Sequence, residues 1–359
     1  MATIAIVGAG MMGSALAVPF VENGHDVRLV GTPLDADIVS ALKAGAPHPK
    51  LKAKLPSSVV PYGVEDLAVA VADADAIALG VSSAGVRWAA EALSFELSRK
   101  AKPVLMISKG LVWRDEQLHV LPDVFQSLLS SPARSRVSPV GVAGPCIAGE
   151  LLREVPTSVV FTGRSRADCE TWANMARGRF YFVQLEADLL GAEGCAALKN
   201  AFAMGVGFGQ GVHEARGGTS GSIAHHNYES AVFAQAILEM QRMLQLIGGD
   251  PRTAVGLPGT GDLTVTCNGG RTGRFGKWLG LGLSLSEAVD KMEGATLECL
   301  EVLREVDAAL QCFDALGKTR SDELPLLRHL ADVALRGARV AMPFERFGGA
   351  NAWVSGRPT

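Results

Sequence analysis

Along the first half of the chain, short apolar runs rich in β-branched residues alternate with longer stretches of helical period. That alternation predicts strands and helices in turn. The runs Thr3–Val7, His25–Val30, Ala76–Val81, Val104–Ser108, Pro139–Ala143, Ser158–Phe161 and Phe180–Val183 are of the kind buried in a parallel sheet. Helices are predicted from Ser14 to Asn23 and from about Gly85 to Arg99. The alternation ends near Asp188, and from Gly191 onward the pattern is helical. It is clearest over Ala231–Ile247, where Val232, Ala236, Leu238, Met240, Met243, Leu244 and Ile247 carry the apolar side before Gly248-Gly249-Asp250-Pro251 ends the run.

The first strand runs directly into Gly8-Ala-Gly10-Met11-Met12-Gly13, with a helix after it. A GxGxxG in that setting is a dinucleotide-binding turn. Gly8 makes the tight turn, Gly10 lets a pyrophosphate approach the backbone, and Gly13 lets the helix pack on the strand. The helix N-terminus, at Met11 and Met12, offers N–H groups and a positive dipole end to phosphate. The expected fold is therefore α/β: an N-terminal Rossmann-type doubly wound domain over residues 1–189, followed by an all-helical C-terminal domain over 190–359. The second strand ends in Gly31-Thr32, with neither an acid for a ribose diol nor an arginine for a 2′-phosphate, so the sequence leaves NAD and NADP open. Lys109 lies at a strand's carboxyl end, braced by Gly110, and is a candidate for substrate or nicotinamide contact as well as a plain surface charge. The segment His48-Pro-Lys50-Leu-Lys-Ala-Lys54 reads as a solvated basic loop.

A chain of 359 residues has the length for two cores. With 48% apolar and 20% charged residues it is neither disordered nor fibrous. The net charge of -3 gives no general attraction to nucleic acid or anionic membranes, so an anionic ligand needs a local basic cluster. Six scattered cysteines lack metal-type spacing and read as buried reduced thiols, and no apolar stretch has the length to span a bilayer. A cytoplasmic protein is expected.

In the helical half, Lys199 and Asn200 interrupt a run of small and apolar residues from Cys195 to Ala203. A lysine set there either snorkels outward or finds partners and acts as a poised proton donor. The segment from Gly259 to Gly276 is the densest polar and glycine cluster of this half. Within it Asp262 is a candidate partner for Lys199, and Arg271 and Arg274 with Thr266 are a candidate phosphate clamp. The alternative is a glycine-rich surface turn with Asp262 as a helix cap. Gly217–Gly221 reads as a flexible loop. His225 and His226, adjacent at a helix start, are expected to face different ways, so no metal site is expected.

Five ordered motifs carry a family resemblance: GAGMMGSALA at the start, ISKGL at 107–111, AGPCIAGE at 143–150, ALKNAFA at 197–203 and GTGDLTVTCNGGR at 259–271. In this order they resemble the NAD(P)-dependent glycerol-3-phosphate dehydrogenases, with HPKL at 48–51 and VRLVGTPLD at 27–35 most similar to the archaeal branch. The resemblance implies hydride exchange between NAD or NADP and a phosphorylated ketose or polyol, here dihydroxyacetone phosphate. It makes Lys199 the general acid/base, Lys109 a contact to substrate and nicotinamide, and Asp262 the support of Lys199. It places the substrate against Lys109, Gly144, Lys199, Asn200, Thr266, Arg271 and Thr272. The dinucleotide is assigned to Gly8, Gly10, Met11, Met12, Gly13, Thr32, Lys109, Ala148, Arg271 and Glu293. Paired subunits are a weaker implication. Four departures fall in or near the substrate half: Thr272 where an asparagine is usual, Cys146 in place of a hydroxyl residue, Gln235 in place of an arginine, and the 212–227 loop. They leave open a related phosphorylated or unphosphorylated ketose or polyol. A hydroxyacid or ketopantoate-type reductase and a non-catalytic dinucleotide sensor are the further alternatives.

Overall fold

The computed structural model describes residues 1–222, 224–268 and 270–348; the end of the chain from 349, part of the aromatic, glycine-rich tail, lies outside the described residues. Elements β1 (Thr3–Val7), α1 (Met11–Glu22), β2 (Asp26–Val30), α2 (Ala36–Lys43), β3 (Val60–Tyr62), α3 (Leu67–Ala72) and β4 (Ala76–Leu79) come first. They are followed by α4 (Val86–Arg99), β5 (Val104–Met106), β6 (Leu111–Arg114), β7 (Gln117–Val120), α5 (Leu121–Leu128), α6 (Ser131–Arg134) and β8 (Val140–Ala143). Then α7 (Ala148–Leu151), β9 (Thr157–Gly163), α8 (Arg166–Ala176) and β10 (Tyr181–Glu186) close the strand-containing half.

Six strands in the order β3-β2-β1-β4-β5-β8 run parallel. The chain winds outward from β1 in one direction and from β4 in the other, so the carboxyl ends of β1 and β4 flank a topological switch point, where such sheets bind ligands. The central strands are apolar on both faces because helices cover both: Ile4, Ala5, Ile6, Val7, Ile77, Ala78 and Leu79 are all fully buried. One departure from the expected sheet lies at its edge. β9 pairs antiparallel with β8, and β10 then pairs parallel with β9. A short apolar run does not declare its direction; the link from β8 to β9 contains only the one-turn α7, too little for a crossover helix.

Two units divide the chain differently from the expected boundary at 189/190. One contains Met1–Gly110 and His119–Glu193; the other contains Leu111–Leu118 and the chain from Gly194. The inserted segment turns at Asp115 and Glu116, both in the left-handed region (φ 52° and 57°). It is fastened within the second unit: the Trp113 N–H donates to Glu305 Oε2 at 2.6 Å, and the Trp113 ring meets Phe313 edge-on at 5.7 Å.

The second unit is helical. Its elements are α9 (Leu189–Ala215), which starts in the first unit, α10 (His226–Ile247), α11 (Asp262–Cys267), α12 (Arg271–Gly280), α13 (Leu285–Asp290), α14 (Glu298–Ala315) and α15 (Pro325–Arg336). Glycines set how α9 and α12 meet. A Cβ on Gly207 would lie 2.3 Å from the Gly273 carbonyl oxygen, and one on Gly276 would lie 2.1 Å from that of Met204. Four residues further along both helices the contacts repeat, Gly211 against Lys277 and Gly280 against Phe208. The helices therefore run in the same direction with backbone against backbone. No helix among the described residues is long and apolar enough to cross a membrane.

Candidate active site

The glycine turn is built as its sequence predicts, with additional supports. Gly8 has φ +115°, and a Cβ there would lie 2.6 Å from the Gly80 backbone. A Cβ on Gly13 would lie 2.1 Å from the Gly8 carbonyl oxygen, so the helix rests directly on the turn. Gly80, just past β4, is the unpredicted fourth member: its Cβ would come 2.7 Å from the same oxygen. At Gly10 a Cβ would reach only the Gly80 carbonyl oxygen, at 4.0 Å, and Gly10 is the N-cap of α1 with no side-chain cap, which leaves the first-turn N–H groups at Met11, Met12 and Gly13 for a ligand. These residues fit a pyrophosphate.

Two buried side chains that the motif did not disclose hold the turn at Ala9. Asp35 Oδ2 accepts from the Ala9 N–H (3.2 Å), the Thr32 N–H (2.9 Å) and the Thr32 hydroxyl (2.7 Å). The Thr32 hydroxyl also accepts from Leu34 N–H, so it is spent on the shape of this turn. His48 Nε2 lies 3.0 Å from the Ala9 carbonyl oxygen, and its Nδ1 faces the N–H groups of Lys50 and Leu51. The basic loop is therefore not merely solvated: fully buried His48 anchors it to the glycine turn, while Lys50, Lys52 and Lys54 remain exposed.

At the carboxyl end of β5, the Ser108 hydroxyl donates to the Val81 carbonyl at 2.6 Å and fixes the half-buried Lys109 that follows. Its field reaches Glu193, whose carboxyl is fully buried and has neither oxygen hydrogen-bonded among the described residues. Burial pushes Glu193 up to about 8, and the charge of Lys109 only partly offsets this. Gly144, at the end of neighbouring β8, adopts φ +112°. Ala148 opens α7, which packs on α1, the helix of the glycine turn.

In the second unit Lys199 and Asp262 are 8% and 1% exposed, and the Lys199 ammonium donates to Asp262 Oδ1. Lys199 does not snorkel to solvent. A single π-helical turn, Leu257–Gly261, precedes Asp262, and at Gly259 a Cβ would lie 2.0 Å from the Ala254 carbonyl oxygen. Such turns re-aim the helix that follows. The Asn200 amide, also buried, donates to Glu298 Oε2 at 3.0 Å, a partner the sequence did not reveal. The Thr266 hydroxyl donates to the Asp262 carbonyl at 2.6 Å.

From Arg271 the chain forms the helix α12, not the glycine-rich surface turn that was the alternative reading of this cluster. Gly270 is its N-cap and no side chain caps it. Among the described residues, exposed Arg271 and Arg274 make no hydrogen bond or ion pair, while Thr272 is buried in the first turn. The register of Gly207 on Gly273 and Met204 on Gly276 sets Arg271 level with about Phe202, roughly 5 Å along the axis from Lys199. A buried amine, an open helix N-terminus and two unpaired guanidinium groups thus share one end of the α9–α12 pair. Glu293 stands exposed on a left-handed turn with Gly294 (φ 51° and 76°).

The family model for the N-terminus of NAD-dependent glycerol-3-phosphate dehydrogenase matches residues 3–169, and the model for its C-terminus matches 188–344. The chain is 34% identical to the NADP(+)-dependent glycerol-3-phosphate dehydrogenase of Archaeoglobus fulgidus over 337 residues, 94% of this chain and 96% of that protein. The chain belongs to the glycerol-3-phosphate dehydrogenase family. It is also 30% identical to the glycerol-3-phosphate dehydrogenase [NAD(P)+] of Lysinibacillus sphaericus, covering 88% of each chain. Its fold is that of the Coxiella burnetii glycerol-3-phosphate dehydrogenase, with a TM-score of 0.76, 24% identity and coverage of 94% of this chain and 96% of that one.

Within this glycerol-3-phosphate dehydrogenase fold, Gln235 has a structural task. Its amide donates to Glu239 Oε1 at 2.8 Å, and the two oxygens of buried Glu239 accept the Leu326 and Leu327 N–H groups at 2.7 Å each, capping α15. Burial raises Glu239 to about 7 despite these bonds. Cys146 is packed against the first unit's core. The two histidines correct the sequence reading. His225 is the N-cap of α10 and His226 its first residue, so they precede Glu229 by four and three positions and both turn toward it.

Proposed function

We propose that this member of the family interconverts sn-glycerol 3-phosphate and dihydroxyacetone phosphate with a nicotinamide dinucleotide. The observation that carries this is the buried Lys199–Asp262 pair beside an uncapped helix start with two unpaired arginines. The Gly8–Gly13 turn would hold the reduced dinucleotide, which when bound would supply the hydride for the carbonyl carbon. Lys199 gives its proton to the carbonyl oxygen, and its ammonium stabilises negative charge developing there. The electron pair of the broken C=O π bond becomes the new O–H bond, and Lys199 is left as a neutral amine. Asp262 holds the ammonium in place; the Thr266 hydroxyl bonds the Asp262 carbonyl within α11, and Asn200 ties α9 to Glu298 of α14. Arg271, Arg274 and the first-turn N–H groups of α12 bind the substrate phosphate. A sensor that only binds dinucleotide has no use for this amine–carboxylate pair.

We infer further that NADP is the preferred cofactor. The acid nearest the end of β2, Asp35, is 8% exposed and its Oδ2 accepts three hydrogen bonds, so it is not available to a ribose diol. Lys50, Lys52 and Lys54 stand exposed on the loop that His48 ties to the turn, and ammonium groups there favour a 2′-phosphate. The name of the Archaeoglobus fulgidus relative agrees. The test follows nicotinamide absorbance as NADPH or NADH is oxidised by dihydroxyacetone phosphate, with ketopantoate, a 2-keto acid and unphosphorylated dihydroxyacetone alongside. Turnover confined to an unphosphorylated substrate would overturn the phosphate assignment, and faster turnover with NADH the cofactor assignment.

A further inference from the structure

Between α9 and α10 the chain brings three imidazoles and a carboxylate to one corner that the reduction of a ketone does not use. His225 Nε2 lies 3.2 Å from Glu229 Oε1, and His226 Nε2 lies 4.0 Å from Glu229 Oε2. One ligand atom from each of these residues falls within 4.8 Å of the others. Ligand atoms held about 2.1 Å from a tetrahedral ion are about 3.4 Å apart, so a small closing movement completes the set. His213, near the end of α9, adds a third ring, its centroid 5.7 Å from that of His225. His213 Nε2 and His225 Nδ1 are shut off from solvent and meet no hydrogen-bond partner among the described residues. Leaving such an atom unpaired costs about 1–3 kcal/mol, so buried histidine nitrogens ordinarily find a protein group, a water or an ion.

We propose that His225, His226 and Glu229 form a binding site for a divalent transition-metal ion of the zinc type. Two imidazoles and one carboxylate suit a borderline cation rather than calcium or magnesium, which prefer all-oxygen sets. Three protein ligands leave one position for water. The helical spacing does the positioning: residues four and three before Glu229 share its face of α10. The preceding loop contains Gly217 and Gly221 in the left-handed region (φ +85° and +76°), and Gly218, where a Cβ would lie 2.1 Å from His213 Nε2. That close approach lets the loop fold over the His213 ring and bring His225 beside it. A bound ion fastens this loop to the start of α10. The corner lies within the electrostatic neighbourhood of the reactive amine, because the Cys267 thiol, pushed up to about 12 chiefly by burial, responds to both Glu229 and Lys199.

The experiment uses the full chain without an affinity tag, stripped with a chelator and titrated with Zn2+ by calorimetry and with Co2+ by ligand-field absorption. The expected result is one ion per chain. Affinity should fall in His226→Ala and in Glu229→Gln by more than the about 10–100-fold that losing an outer partner costs. The intense Co2+ bands should be lost in the same variants and kept in His119→Ala, a histidine outside the cluster. His226 is suited to the test because its side chain is 59% exposed and the variant keeps its fold. Zn2+ should also raise the unfolding midpoint of the parent and leave that of His226→Ala unmoved. Absence of stoichiometric uptake, or uptake that survives both substitutions, would overturn the proposal.

Discussion

Glu193 makes the stability of the first unit depend on pH in a way one isosteric change removes. Its carboxyl is fully buried, with neither oxygen hydrogen-bonded, and it fills the space beside Gly141, where a Cβ would lie 2.1 Å from Glu193 Oε1. Burial raises its pKa from 4.5 to about 8. Because the folded value is raised, the folded chain keeps a proton that the unfolded chain has released, and stability falls as pH climbs from 4.5 to 8. At 1.36 kcal/mol per pH unit the loss amounts to about 3 kcal/mol by pH 7 and about 4 kcal/mol by pH 8, where the folded carboxyl is itself half ionised. Glu193→Gln keeps the shape and the unpaired polar atoms but has no proton to lose. Urea unfolding of parent and variant, followed by tryptophan fluorescence, should give nearly equal stabilities at pH 5. The variant should be ahead by several kcal/mol at pH 8 (about 4 from the shift above). Glu239, raised to about 7, adds a similar loss to both proteins and drops out of the difference. A stability difference that stays constant across this range would mean that Glu193 is ionised in the folded chain, and the reasoning would fail.

Lys199→Ala should lower turnover by about 10²–10⁴-fold, the worth of a positioned acid, while dinucleotide affinity measured by fluorescence stays unchanged. Retained turnover would remove the amine from the reaction. Arg271→Ala should act mainly on the KM for dihydroxyacetone phosphate, raising it about 10–100-fold if a charge-assisted bond of about 1.5–3 kcal/mol is lost; an unchanged KM would place the phosphate elsewhere. Replacing Lys50, Lys52 and Lys54 together by alanine should raise the KM for NADPH and leave that for NADH alone, and equal effects on both would refute the 2′-phosphate reading. Gly276→Ala drives a methyl into the Met204 carbonyl, so the unfolding free energy should fall by about 1–3 kcal/mol, as overpacking usually costs.

What the sequence disclosed was local. The dinucleotide turn was readable because strand, three glycines and helix follow one another within a dozen residues. Lys199 was readable as an oddity, and Asp262, 63 residues later, only as a candidate partner. The missed features depend on distant backbone. Gly80 matters because of the Gly8 carbonyl, and His48 because of the Ala9 carbonyl. Glu298 meets Asn200 across 98 residues. The alternative of a glycine-rich turn over 259–276 arose because glycine ordinarily weakens helices, yet from Arg271 the chain is helical. Here Gly273 and Gly276 admit a neighbouring main chain, a reason invisible to propensity. The adjacent histidines both reach Glu229 because the spacing that matters is the one to Glu229, one turn on, and not the one between them.

The interlocked glycines of α9 and α12 also turn the main chain into a ruler. The distance along the axis from Lys199 to Arg271, the proposed proton donor and anion clamp, is set by carbonyl oxygens lying against glycine Cα atoms, so exchanging ordinary side chains around it will hardly alter its length. Selectivity for how many carbons separate ketone from phosphate is, on this view, hard to drift and hard to engineer. A longer substrate calls for sliding one helix past the other by a full four-residue step.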